Sequence, residues 1–194
     1  MPRSVRAPRV DNRLPLVLDA AARLFREKGY AATSMRDIAS AVDMLPGSLY
    51  YHFASKEELL VAVYAEGVRR ISETVARAMD GERDPWTRLE NGCVAHLEAL
   101  LQASDYAQVV VRVRPSDAPA AARELVRLRN GYEAIFRGMI DALPLARGTD
   151  RRALRLMLIG ALNWSQTWYR RGKDTPQRIA REFVALLRRP VEGH

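Results

Sequence analysis

Residues 33–56 read TSMRDIASAVDMLPGSLYYHFASK, and the placing of caps, apolar positions and one proline in this stretch decides what the chain must be. Thr33 or Ser34 starts a helix through Ala41, because either hydroxyl can accept from the free N–H groups of the first turn. Met35, Ile38, Ala39 and Val42 recur at helical spacing and form its buried face. A turn over Val42, Asp43 and Met44 follows. Pro46 then suits the first position of a second helix, where its missing N–H costs nothing. In that helix Leu49, Tyr50 and Phe53 can pack inward, leaving Gly47, Ser48, Tyr51 and His52 outward. One glycine, one hydroxyl, one phenol and one imidazole suit close contact with a polar surface. Two short helices, the second polar on its outer face, describe a helix-turn-helix, whose second helix enters a DNA major groove.

The flanking chain fits an anionic partner for this segment. Of the net charge of +8 over 194 residues, half falls in residues 1–56, which hold nine basic against five acidic side chains. Residues 1–12, with Arg3, Arg6 and Arg9 among small residues and prolines, read as a flexible basic arm; it is either a solvated tail or a contact to DNA phosphates and a narrow minor groove. Cys93 is the single cysteine, which excludes an intrachain disulfide and points to a reducing cytoplasm. The longest apolar run, residues 156–162, is about a third of a membrane span, so no membrane partner is expected. The N-terminal arginines are not followed by the apolar stretch of a secretory signal.

Helical punctuation dominates the whole length. Pro15 opens a first helix with Leu18, Ala21, Leu24 and Phe25 as its stripe, ended by Gly29. Ser55-Lys56-Glu57-Glu58 is a capping box in which Ser55 and Glu58 satisfy each other's backbone donors, and the helix it starts runs to about Ala78. Further helices are expected from Asp84-Pro85 to Leu101, from Ser104 or Asp105 to Val113, from Ala118 to Ala142, from Asp150 to Arg170 and from Thr175-Pro176 to Arg189. The fold class is therefore all-α, with about nine helices. The arm of residues 1–12 is followed by a three-helix helix-turn-helix domain over 13–56 and a helical bundle for ligand binding and dimerisation over 57–194.

LDAAARLFREKGY (18–30), TSMRDIA (33–39), GSLYYHF (47–53) and FASKEELL (53–60) together resemble the DNA-binding domain of the tetracycline-repressor (TetR) family of bacterial transcription regulators. The resemblance covers roughly 45 residues in both spacing and residue type. It implies a homodimer on a palindromic, double-stranded operator, with Gly47, Ser48, Tyr50, Tyr51 and His52 at bases and nearby phosphates, and Thr33, Ser34, Arg36 and Lys56 on the backbone; Pro46, at the start of the same helix, is a further candidate DNA contact. It also implies a repressor that a small-molecule effector releases. Tyr50 has two readings, since helical spacing alone makes it partly core. Leu45-Pro46 departs from the family pattern and leaves the recognition helix without its usual polar cap.

The C-terminal part carries weaker signals. Cys93, His96, Tyr106, Tyr132, Phe136, Met139, Trp164 and Trp168 concentrate aromatic and sulfur-bearing side chains; as a group they are core or they line a pocket. Cys93, His96, Tyr132, Phe136, Met139, Asn163 and Trp164 are the candidate ligand contacts, with Asn163 and Trp164 offering an amide and a flat wall. GALNWSQTWYRRGKDT (160–175) is similar to the C-terminal segment of the TetR branch that answers to acyl-coenzyme A thioesters. That likeness implies Arg170, Arg171, Arg112 or Arg114 at the nucleotide phosphates, with the acyl chain in the apolar interior. For the dimer interface the last two helices offer Leu154, Met157, Leu158, Ala161, Ser165 and Trp168, and Ile179, Phe183, Leu186 and Leu187; the same faces can instead close the monomer's own core.

Enzyme chemistry finds little support. Cys93 and His96 lie three apart on a helix, yet no orienting third group or oxyanion loop accompanies them. His52, His96 and His194 have no metal-ligand spacing, and no Gly-rich phosphate loop calls for a cofactor. The remaining alternative is a small-molecule-binding protein of the same fold that takes an unrelated apolar compound and binds DNA weakly.

Overall fold

A computed structural model describes residues 13–102 and 104–192, the side chains of 189–192 excepted; the predicted basic arm of 1–12 lies outside the described residues. Among them the order is α1 (Leu14–Lys28), α2 (Met35–Ala41), α3 (Pro46–His52), α4 (Lys56–Met79), α5 (Pro85–Leu101), α6 (Asp105–Arg112), a 3₁₀ turn (Pro115–Asp117), α7 (Ala122–Asp141), α8 (Arg151–Trp168) and α9 (Pro176–Glu192). The described residues hold no strand, and the β-branched run at 109–113 belongs mostly to α6.

Two cores share this framework. Val17, Leu24 and Phe25 of α1 pack with Ile38 of α2, Leu49 of α3 and Leu59, Leu60 and Val63 of α4. Tyr106 and Val109 of α6 enter the same core, so it extends well past the first three helices. The second core gathers Ile71, Val75 and Met79 from the far half of α4 with Leu89 and Leu97 of α5, Phe136 of α7, Leu162 of α8 and Ile179 of α9. At 1.5 Å per residue the 24 residues of α4 span about 36 Å, long enough to belong to both.

Local chemistry explains where the elements start and stop. Ser34, not Thr33, caps α2: its Oγ accepts from Asp37 N at 3.1 Å, and the Asp37 carboxylate accepts from Ser34 N at 2.8 Å. Asp43 closes the turn after α2 at φ 51°, a left-handed geometry that Asp tolerates better than most residues. At α4 the capping box is only half as predicted. Ser55 Oγ accepts from Glu58 N, but the Glu58 carboxylate reaches Ala54 N rather than Ser55 N. The helix predicted from Ala118 begins at Ala122 instead. Pro119 disfavours helical geometry at Ala118, which sits at φ −139°, ψ 75°, and residues 118–121 turn before the helix can propagate.

α4 and α6 cross closely at Gly67. A Cβ on Gly67 would stand 2.7 Å from Val110 Cγ2 and 2.9 Å from the Tyr106 carbonyl oxygen. The Tyr106 hydroxyl donates to Asp19 of α1 at 2.8 Å, and the Arg70 guanidinium lies 4.1 Å from its ring centroid. Burial and this hydrogen bond hold the Tyr106 phenol protonated, well above its ordinary range. α6 is thus tied at once to α4 and to the first helix of the N-terminal core.

Candidate functional site

Two surfaces carry the chemistry expected from the sequence. The first is the outer face of α3. Leu49 is fully buried and Phe53 nearly so, while Tyr51 is 88% and Tyr50 51% exposed. Tyr50 therefore belongs to the outer face, and its inward reading is corrected. Gly47 and Ser48 are exposed beside it, and His52 is half-buried with its ring edge-on to Tyr51 at 5.5 Å. A Cβ at Gly47 would meet nothing within 4 Å, so internal packing does not require glycine there. What the missing side chain leaves is backbone open to close approach from outside. Pro46 is half-buried at the first helical position, and Leu45, the cap residue, makes no side-chain cap and is 77% exposed. Ser34 and Arg36 are exposed on α2.

Two of the predicted backbone contacts are engaged within the protein. Thr33 is 1% exposed, and its hydroxyl donates to the carbonyls of Gly29 at 2.8 Å and Leu24 at 3.3 Å. Lys56 points its ammonium back into the α1–α2 loop, donating to the carbonyls of Tyr30 and Thr33, each at 3.0 Å, and lying 4.3 Å from the Tyr30 ring centroid. The Tyr30 hydroxyl in turn donates to Glu57 at 2.8 Å, and that bond is the main cause holding the Glu57 carboxyl below its usual range. Thr33 and Lys56 thus fix the loop that presents α2. Tyr30, which joins α4 to this loop, was not singled out from sequence, since an aromatic after a helix-ending glycine reads as ordinary core.

The second surface is a cavity of about 360 Å³ between α4, α5, α6, α7 and α8. Of the predicted ligand residues, His96, Tyr132, Asn163 and Trp164 line it. Cys93, Phe136 and Met139 do not; all three are buried in the second core, where Phe136 stands edge-on to the His96 and Tyr132 rings at 5.5 and 5.7 Å. His96 is held on both sides, with Nδ1 2.6 Å from the Tyr132 hydroxyl and Nε2 3.1 Å from Asn163 Oδ1. With the amide oxygen on Nε2, that nitrogen carries the proton and Tyr132 donates to Nδ1. Burial pushes His96 down to about 4, against the smaller opposing effect of the Asn163 hydrogen bond, so the imidazole is neutral. Burial likewise pushes the Cys93 thiol up to about 12, and both ring nitrogens of His96 face other partners. The suspected nucleophile and base form no pair.

The rim of the cavity is charged. Arg114 and Arg129 line it and are exposed, and Glu133 of α7 pairs with Arg155 of α8 at 3.4 Å and with Arg129 at 3.8 Å. Arg114 was expected there; Arg112, Arg170 and Arg171 do not line this cavity. Arg129, Tyr64 and Gln166 are lining residues that sequence reasoning missed. Spacing alone assigned Tyr64 to the buried stripe of α4, and no periodicity distinguishes a buried phenol that borders a cavity from one that does not.

The faces of α8 and α9 also divide differently from expectation. Leu158 and Ile179 are buried within the chain, while Leu154, Ala161, Phe183 and Leu187 are half-buried. The exposed apolar stripe runs through Leu156, Met157, Trp164 and Trp168, with Leu186 on α9; Met157, Trp168 and Leu186 keep their predicted outward position. α8 packs on α5 and α7, and α9 covers α5 with Ile179, Ala180 and Val184; these contacts within the chain decide which part of each apolar face is left outside.

Among the described residues no helix is long and apolar enough to cross a membrane, and no group of three or more His, Cys, Asp or Glu could hold a metal ion. The family model for bacterial regulatory proteins, tetR family, matches residues 17–63, and the tetracyclin repressor-like C-terminal domain matches residues 82–191. The HTH-type transcriptional repressor KstR2 of Mycobacterium tuberculosis (strain ATCC 25618 / H37Rv) is 29% identical over 189 residues, covering 93% of this chain and 94% of that protein. Two solved structures superpose over nearly the whole length. One is the superantigen PfiT, at TM-score 0.78 and 29% identity, over 91% of this chain and 96% of that one. The other is AibR in complex with isovaleryl coenzyme A and operator DNA, at TM-score 0.77, 24% identity, 90% of this chain and 97% of that one; it speaks for the fold alone.

Proposed function

The chain belongs to the tetR family of bacterial regulatory proteins and is a DNA-binding transcription regulator of the repressor-like type, not an enzyme, and from that premise we propose that it holds a palindromic operator as a homodimer and is released by an anionic, apolar-tailed effector. An acyl-coenzyme A thioester is the effector class the site supports best. The observation that carries this reading is the double membership of α6: Tyr106 and Val109 pack in the core beneath α1–α3, while Val110 and Val111 border the cavity. A ligand that displaces the cavity wall therefore acts directly on the helix bonded to Asp19 of α1.

Roles follow from accessibility. Gly47, Ser48, Tyr50, Tyr51 and His52 read bases and nearby phosphates, and Ser34, Arg36 and Pro46 contact the backbone. Residues 13–56 form the DNA-binding domain and residues 57–194 the ligand and dimer domain, working in the cytoplasm. Arg114 and Arg129 at the rim suit phosphate oxygens, and the valine-rich interior suits the acyl part. At about 360 Å³ the cavity lies near the small end of ligand pockets, so the nucleotide would rest outside it. AibR, of the same fold, is known with isovaleryl coenzyme A and operator DNA together. The exposed stripe of Leu156, Met157, Trp164 and Trp168 supports a dimer through α8 and α9.

The test is a mobility shift at low salt with the DNA flanking the protein's own gene, repeated with short-chain acyl-coenzyme A esters. Retardation reversed by a thioester is expected. Absence of retardation would remove the regulatory reading for this DNA, and retardation indifferent to every thioester would remove the effector class.

A further inference from the structure

Tyr132, His96 and Asn163 form a hydrogen-bonded chain at the cavity wall, and burial fixes where its protons lie. Tyr132 is buried, and its hydroxyl has one partner among the described residues, His96 Nδ1 at 2.6 Å. If Nδ1 carried the proton, the phenol would accept it, and its own O–H would meet no acceptor among the described residues. Buried donors are almost always paired, because an unpaired one forfeits its bonds to water. The phenol therefore donates to Nδ1. The imidazole is neutral, so its single proton sits on Nε2 and points to Asn163 at 3.1 Å. A carboxamide has one accepting atom, its oxygen. The Asn163 side chain is thus held with Oδ1 turned to His96 and its NH₂ group turned away.

The oriented amide gives the cavity wall a defined polarity. Asn163 Nδ2 makes no hydrogen bond among the described residues and is not one of their buried unpaired atoms. Asn163 is half-buried, the least buried of the three, and lines the cavity, with the buried His96 behind it and the exposed Trp164 next in sequence. With Oδ1 taken up by His96, what it has left to offer a ligand is N–H donors. A carbonyl oxygen, which accepts and has no proton of its own to place, complements them. Ile71, Leu100, Val110 and Ile159 of the same lining suit the hydrocarbon beside such a carbonyl.

From this we infer that Asn163 recognises a carbonyl group of the effector, donating from Nδ2 to its oxygen, and that His96 and Tyr132 are positioning residues that hold the amide in this sense. The inference rests on the ligand-binding reading above and deepens it. In an acyl thioester the carbonyl joins the hydrocarbon to the nucleotide-bearing arm, so Asn163 reads the bond that makes the ligand a thioester, while the apolar wall reads only the bulk of the chain.

The experiment is calorimetric titration of the full-length protein with hexanoyl-coenzyme A and with S-hexyl-coenzyme A, a thioether that has a methylene in place of the carbonyl. The thioester should bind about fivefold or more tightly, the scale of a donor left without its acceptor. Asn163→Leu should bring the two ligands within about twofold by weakening the thioester alone, with the thioether bound as by the wild type. Tyr132→Phe removes one hydroxyl and with it the fixed order of protons, so its ratio should fall between those two; it carries the test if Asn163→Leu folds poorly. A merely structural role would weaken both ligands together and leave their ratio unchanged. That result in Asn163→Leu would overturn the carbonyl contact, and in Tyr132→Phe it would overturn the positioning role. Equal binding of both ligands by the wild type removes the inference and leaves the ligand-binding reading standing, whereas binding of neither removes both. DNA retardation, measured on the same preparations, reports separately whether the regulatory reading stands.

Discussion

Replacing Gly67 by alanine should weaken the protein, although alanine is the better helix former. The substitution adds one methyl to α4 at its crossing with α6, 2.7 Å from Val110 Cγ2 and 2.9 Å from the Tyr106 carbonyl oxygen. The valine can adjust. The carbonyl belongs to the backbone of α6 and must retreat to at least 3.4 Å for ordinary contact. Its helix is anchored by Tyr106 to Asp19 and under Arg70, so retreat strains those contacts as well. Overpacking of this kind costs about 1–3 kcal/mol. Alanine returns about 1 kcal/mol of helix propensity, leaving a net loss of about 1 kcal/mol. For a chain of this size that lowers the melting temperature by about 2–4 °C. Gly92→Ala is the control. There the new methyl meets Met139 Sδ at 2.7 Å, the end of a flexible side chain, so the gain and the clash should cancel to within about 0.5 kcal/mol. Thermal unfolding followed by circular dichroism measures both, and operator titration should show weaker binding for Gly67→Ala alone. A Gly67→Ala protein about 1 kcal/mol more stable than wild type would refute the reasoning, since propensity would then act unopposed.

Three further outcomes are expected. Lys56→Ala should lower stability by about 1 kcal/mol through loss of its carbonyl contacts, discounted for partial exposure, yet leave the salt dependence of DNA binding unchanged. Arg36→Ala should flatten that dependence by about one phosphate's worth, and a flattened slope for Lys56→Ala would return that residue to the DNA. Tyr51→Ala should change the preference among operator variants with little effect on melting, because the ring is 88% exposed; uniform weakening on all sequences would count against base contact. His96 sets a pH effect. Its folded-state value near 4 lies below the ordinary 6.5, so the unfolded chain binds the proton first as pH falls. Stability is therefore fully present above about 6.5 and lost as pH falls towards 4, by about 2 kcal/mol between pH 7 and pH 5. Denaturant titrations of wild type and His96→Gln should differ by that loss across this window, and parallel curves would contradict the assignment.

The helix-turn-helix was legible because its determinants are local. Ser34, Pro46, Ser55 and the apolar positions around them act within one or two turns, and each cap is found at the residue or the neighbour the sequence indicated. Thr33 and Lys56 were misplaced for the opposite reason. Their hydroxyl and ammonium are consumed by carbonyls of residues 24, 29, 30 and 33, contacts that exist only once α1 and α4 have packed. The same limit applied to the C-terminal half. The apolar face of α8 is wide enough to serve either a monomer core or a partner, and packing of the helix on α5 and α7 put Leu158 inside and left Met157 outside. The pocket was legible as a set of residue types. Which of them border the cavity depended on tertiary packing, which brought His96, Tyr132, Asn163 and Trp164 to its wall and left Cys93, Phe136 and Met139 in the core.

The central claim is that one chain couples its cavity to its DNA face through α6, and a reciprocal titration tests it most directly. Operator affinity is measured by fluorescence anisotropy with and without a saturating acyl-coenzyme A ester, and ester affinity is measured with and without saturating operator. The account predicts that the ester weakens operator binding and that operator weakens ester binding by the same factor, about 5- to 150-fold. Two affinities each indifferent to the other partner would contradict it.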